Sequence, residues 1–101
     1  MTDYLLCYNG PQDIQIDAGK GHLAGVVVTS VSATPGSCEL FDYAGEGPPD
    51  GPTIYITVVN ASYKITDLFN DRYAPRFNDG LWLHLSDDCY AMIWAHFPKI
   101  A

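Results

Sequence analysis

An all-β fold is expected for this chain: a single-domain antiparallel β-sandwich or jelly roll of seven or eight short strands. Three observations lead there. Apolar residues come in short runs rich in Val, Ile, Tyr, Phe and Trp, several of them alternating with period two. Gly, Pro, Asn and Asp recur between those runs at the spacing of turns. No segment sustains a helical period beyond about one turn. A chain of 101 residues fits one domain, and neither a repeat nor an interdomain linker is evident.

The elements follow in order. "YLLCY" (4–8) and "DIQID" (13–17) are short candidate strands. "HLAGVVVTSVS" (22–32) is nearly continuous in apolar residues, as a strand covered on both faces would be. Gly25 within it marks a bulge or a close backbone approach. "ATPGS" (33–37) reads as a turn, with Pro35 presetting φ and Gly36 accepting a positive one. "CELFDY" (38–43) alternates, Cys38 and Leu40 against Phe41 and Tyr43, so 22–43 is expected to form a hairpin. "AGEGPPDGP" (44–52) is a surface loop, stiff around Pro48 and Pro49. "TIYITVVN" (53–60) is a strand in which Ile54, Ile56 and Val58 alternate with Tyr55, Thr57 and Val59. "SYKIT" (62–66) pairs with it or continues it, and one helical turn at Thr66–Phe69 is expected in the connector that follows.

The last segment, "GLWLHLSDDCYAMIWAHF" (80–97), reads as a hairpin with large apolar groups on both faces. Leu81, Leu83 and Leu85 share one face of its first strand, and Trp82 and His84 the other. A three-residue turn, Ser86-Asp87-Asp88, makes one face aliphatic and gathers Trp82, His84, Tyr90, Met92 and Trp94 on the second. A two-residue turn, Asp87-Asp88, instead sets Leu83 opposite Met92 and Leu81 opposite Trp94. Either way something must cover a second apolar face: loops of the same chain, or another molecule.

Composition narrows the function classes. Twelve acids against five scattered bases give a net charge of −7, with no basic stripe for nucleic acid or an anionic membrane. Charged residues make up 17% of the chain and aromatics 13%, so polar groups are too few to cover the apolar surface. Cys7, Cys38 and Cys89 form no C-x-x-C and read as free thiols of a reducing compartment, the alternative being one disulfide and a spare thiol. The opening residues lack the basic region of a signal peptide, no run approaches a membrane span, and cytoplasmic synthesis is expected.

No chemistry is announced. His22, His84 and His96 follow no zinc pattern, and the acids near 67–71 and 79–88 lack the calcium-loop spacing. There is no G-x-S-x-G, "GKGH" (19–22) is not a phosphate loop, and the sequon "NAS" (60–62) means little without secretion. No catalytic residue, cofactor or metal is therefore expected. The expectation is a non-enzymatic contact protein.

The stretch "PRFNDGLWLHLSDDCYAMIWAHF" (75–97) resembles the C-terminal end of small structural proteins of tailed bacteriophages, through Phe77, Asn78, Gly80, Leu81 and Trp82 and then Tyr90 to Phe97. "LAGVVVTS" (23–30) followed by "SCELFDYAG" (37–45) resembles their strand pair, whereas the loops 44–52 and 67–76 depart from it. The resemblance implies a virion component. Its commonest form is a capsid decoration, or cement, protein on the outer surface of the major capsid protein shell, self-associated and often trimeric. Head fibre, neck and tail parts are alternatives. Acidity suits the outside of a DNA-filled shell better than its inside. Trp82, His84, Tyr90, Met92 and Trp94 are the expected contacts, with Tyr55 and Tyr73 as further candidates. A carbohydrate-binding β-sandwich, with aromatic rings stacking on sugars, is the alternative from another class.

Overall fold

The computed structural model of the protein describes residues 3–30, 35–60, 63–70 and 72–97. Among them are nine strands and no helix: β1 Asp3–Asn9, β2 Gln12–Ala18, β3 Gly21–Ser30, β4 Gly36–Asp42, β5 Thr53–Val59, β6 Lys64–Leu68, β7 Arg76–Phe77, β8 Gly80–Leu85 and β9 Cys89–His96. The strands form two antiparallel sheets. Sheet A has the order β1-β9-β3-β6, with β7 also on β3; sheet B has the order β2-β8-β4-β5. The strand beyond the expected seven or eight is β7, two residues inside the connector that the sequence filled with turn residues.

Their inner faces make one core. Leu81, Leu83 and Leu85 of β8 and Cys38 and Leu40 of β4 meet Val26 and Val28 of β3 and Ala91, Ile93 and Ala95 of β9, all at most 1% exposed. Side chains alternate across a strand, so these positions, two apart, are what a sandwich requires. Fully burying one such aliphatic side chain contributes about 1.5–3 kcal/mol.

Both expected hairpins are corrected. β3 and β4 lie in opposite sheets, and so do β8 and β9. Residues 80–97 form an arch: β8 pairs with β2 and β4, β9 with β1 and β3, and their aliphatic sets face each other across the core. Period-two alternation is the same for two strands side by side and for two strands face to face, so it does not report pairing. The bend is anchored to both sheets. Ser86 N donates to the Ser37 carbonyl, Ser37 N donates to Ser86 Oγ at 2.8 Å, and Gly10 N donates to the Cys89 carbonyl at 2.7 Å. Asp88 turns the chain with φ 59°, a left-handed value that Asp tolerates better than most residues.

Local readings divide. Gly25 sits at a register shift between Leu23 and Gly25, and a Cβ there would stand 2.9 Å from Leu68 Cδ2, so it is both a bulge and a close approach. Gly36 is not among the positive-φ residues. It is buried, and the site requires glycine because a Cβ there would collide with Cys89 Sγ, which crosses beneath it from sheet A. The rest of the turn expected there, and the second and third residues of the sequon, lie outside the described residues. Thr66–Leu68 belongs to β6, not to a helical turn, and β6 pairs with β3 rather than β5. Its backbone groups are taken by the open edge of β3, a long-range partner that a local propensity does not see.

Candidate functional site

The two outer faces differ, and the difference locates the candidate surface. On sheet B, Trp82 is covered by its own chain. Loop 43–52 is held by Gly45 N donating to Gln15 Oε1 at 2.6 Å and by Asp42 N donating to the Pro52 carbonyl at 2.9 Å. Gly47, at φ +77°, lies on the indole, and the rings of Phe41 and Tyr43 meet it edgewise at 6.1 and 6.5 Å. Trp82 is left 4% exposed. In the neighbouring row His84 lies between β2 and β4, its Nδ1 2.7 Å from Asp13 Oδ1, with Glu39 as its cross-strand neighbour on the other side. An open groove of about 400 Å³ runs between Asp13, Glu46, Pro48, Pro49 and Trp82.

No loop among the described residues is bonded over sheet A in this way. Beyond an end row of Asp3, His96, His22 and Arg76, three cross-strand rows carry its outer face. Leu5, Trp94, Gly25 and Leu68 form the first; Cys7, Met92, Val27 and Thr66 the second; Asn9, Tyr90, Thr29 and Lys64 the third. Leu5 is 49% exposed, Met92 37%, Tyr90 48% and Leu68 76%, and Cys7 is exposed beside them. In these three rows Lys64, at one corner, is the charged side chain. Trp94 fits because Gly25 has no side chain to occupy the space above it, a Cβ there lying 3.4 Å from Cε3. At the end of β9, His96 is buried and stacks on His22 with centroids 4.9 Å apart.

The expected contact residues are therefore not one patch. Tyr90, Met92 and Trp94 share the outer face of sheet A, whereas Trp82 and His84 lie on sheet B, on the far side of the core. The hairpin reading joined them, and the arch separates them. Tyr55 is half-buried at the sheet boundary, edge-on to Phe69, and its hydroxyl donates to Asp67 Oδ2, linking β5 to β6. Burial first, and then that bond and the carboxylate's charge, raise its phenol above the ordinary range. Tyr73 is 71% exposed beside Arg72, whose guanidinium lies 5.6 Å from the ring centroid. Leu5, Cys7 and Leu68 were missed as surface candidates. Their alternation was legible, but their place beside β9 and β3 depends on sheet order.

The thiols are free. Cys38 and Cys89 are buried, and burial, then the nearby Cys89 and Glu39, push the Cys38 thiol up to about 12. A second pocket of about 140 Å³ is lined by Lys20, Gly21, His22, Arg76, Phe77 and Asn78. Among the described residues no three His, Cys, Asp or Glu side chains are placed to hold a metal ion, and no helix is long and apolar enough to cross a membrane. Comparison with protein-family models and with curated proteins gives no match.

Proposed function

We propose that the protein is a non-enzymatic structural component of a tailed-bacteriophage virion: a capsid decoration protein, made in the host cytoplasm, that binds the outer surface of the major capsid protein shell and its own copies. The observation that carries this reading is the outer face of sheet A. It is a broad surface around Met92 and Trp94 that brings Leu5, Leu68, Tyr90 and Met92 together, whereas the other exposed apolar residues, Ile56 and Val58 of β5 among them, are spread over the rest of the molecule. An exposed face of that kind gains stability when a second protein covers it, at about 25 cal/mol per Å² removed from water. Decoration works by such added interface: each copy bridges neighbouring shell subunits and holds them by buried area, with no turnover. The net charge of −7 suits a position outside packaged DNA.

The contacts in this reading are Tyr90, Met92 and Trp94, with Leu5 and Leu68 beside them. Trp82 supports sheet B under its loop. The test is electron microscopy of empty tailed-phage capsids mixed with the purified protein. Added density at regular lattice positions, lost in Met92→Lys, is the expected result. Bare shells with the wild-type protein contradict the reading.

A carbohydrate-binding module has one observation in its favour, the groove between Asp13, Glu46 and Trp82. An indole 4% exposed leaves little ring area to stack on a sugar. Glycan-array binding that disappears in Glu46→Gln but persists in Met92→Lys favours this second reading.

A further inference from the structure

We infer that β1 is a self-association edge: two copies join by antiparallel pairing of β1 with β1 across a two-fold axis, so that sheet A continues from one protomer into the other. β1 is the outermost strand of sheet A. It follows β9 for seven residues, Asp3 to Asn9, without a register shift, which leaves its other edge straight. Straight, uncharged strand edges are the ones that pair with other chains, and proteins protect edges they keep single with charge, bulges or proline.

β1 holds one acid, Asp3, at its first position, whereas the other four outermost strands are protected along their length or are very short, β7 being two residues with Arg76. β2 has a shift between Gln15 and Asp17 and holds Asp13 and Asp17. β6 holds Lys64 and Asp67. β5 is uncharged, but its pairing is broken by a shift between Leu40 and Phe41, and Tyr55 ties it to Asp67 of β6. Residues 4–9 of β1, "YLLCYN", have no charge, no proline and no bulge.

Self-complementarity points to a second copy as the occupant, because antiparallel pairing sets the uncharged run 4–9 of one β1 against the same run of another. Two molecules of net charge −7 repel, so they meet with least cost where their acids are absent. β1 offers that over six consecutive residues. Pairing also sets Leu5 and Cys7 of both copies side by side on one outer face, joining two apolar surfaces into one. An antiparallel strand pair is isologous and closes at two copies. The inference rests on the reading that the protein works in an assembly. It concerns the free protein, so its failure and that of capsid binding are measured separately.

Sedimentation equilibrium of the full chain tests it. The mass should rise with concentration from 11.1 kDa to twice that value. Cys7→Lys, which sets like charges against each other across the two-fold, should weaken association at least tenfold, whereas Ile56→Lys on the β5 edge should leave it unchanged. Cys38 and Cys89 are buried, so a short bismaleimide reads Cys7. A register centred on the strand puts the two thiol-bearing residues directly opposite or one diagonal apart, about 5–8 Å. A covalent dimer of the wild-type protein is expected, and it decides the matter should Cys7→Lys fail to fold. A mass of one chain throughout, a trimer, a dimer abolished by Ile56→Lys, or no cross-link where the mass has doubled overturns the inference. Decoration by a strictly monomeric protein overturns it while sparing the decoration reading.

Discussion

Gly47 lies on the indole of Trp82 so closely that a Cβ at position 47 would stand 2.6 Å from Cζ2, and its φ of +77° belongs to the left-handed region that favours glycine. The loop around Gly47 is what covers the second face of β8. Gly47→Ala asks for both a strained backbone and a displaced ring. Such overpacking costs about 1–3 kcal/mol. Urea unfolding should show a lower midpoint, and in a Trp94→Phe background the emission of Trp82 should shift to the red as the loop lifts. Unchanged stability and emission would mean that the loop does not seal the indole.

Trp82 and the outward-facing residues of β9 should behave differently. Trp82 is packed under its loop, so Trp82→Ala should destabilise the isolated protein by about 3–5 kcal/mol. Met92 and Tyr90 face outward, and their replacement by Ala should cost the isolated protein less than about 1 kcal/mol. If either is a hot spot, the same change weakens assembly by about 2 kcal/mol or more. Paired thermal denaturation and capsid-binding assays check the split, and a large stability loss at Met92 would refute it.

Asp42 fastens the turn that launches β8. Its Oδ1 accepts from the backbone N–H of Asn78, Asp79 and Gly80 at 3.0, 2.8 and 3.3 Å. Asp42→Ala strands those donors, one of them buried, at a cost of about 1–3 kcal/mol. Asp42→Asn keeps an acceptor oxygen and should recover part of the loss. Chemical denaturation of the pair measures this, and equal stability of Asp42→Ala and wild type would show the turn to be held otherwise.

Alkali should destabilise the fold. The ordinary thiol value is 9.0, and burial pushes Cys38 up to about 12. Between those values the unfolded chain releases the proton that the folded chain keeps, so unfolding is favoured as pH rises. The stability tied to this group is complete below pH 9.0 and falls progressively towards about 12. Tyr55 and Tyr8, raised chiefly by burial, act in the same direction above their ordinary 10.0. The melting temperature should fall across this range and fall less in Cys38→Ala. A melting temperature flat to pH 12 would contradict the placement of these groups.

Strand positions and the inward sets were legible because alternation is a local property: Leu81, Leu83 and Leu85, or Cys38 and Leu40, declare themselves within a few residues. Sheet membership was not. All connections except β4 to β5 and β6 to β7 pass from one sheet to the other, and local sequence carries no mark of that choice. That is why Trp82 and Tyr90 read as neighbours yet lie on opposite sides. It is also why the loop 44–52, read as mere surface, turned out to cover Trp82. The exposed group Leu5, Met92 and Leu68 comes from three strands far apart in sequence, and their sheet order alone assembles it.

Cys7 stands in the middle row of the sheet A surface, beside Met92, and is the exposed member of the three thiols. Its rate of maleimide labelling, measured on dilute protein and again on protein bound to capsids, reports whether that surface is the one in use. At least tenfold protection on the capsid is the expected result. Equal labelling of bound and free copies would show that the shell is gripped by another face.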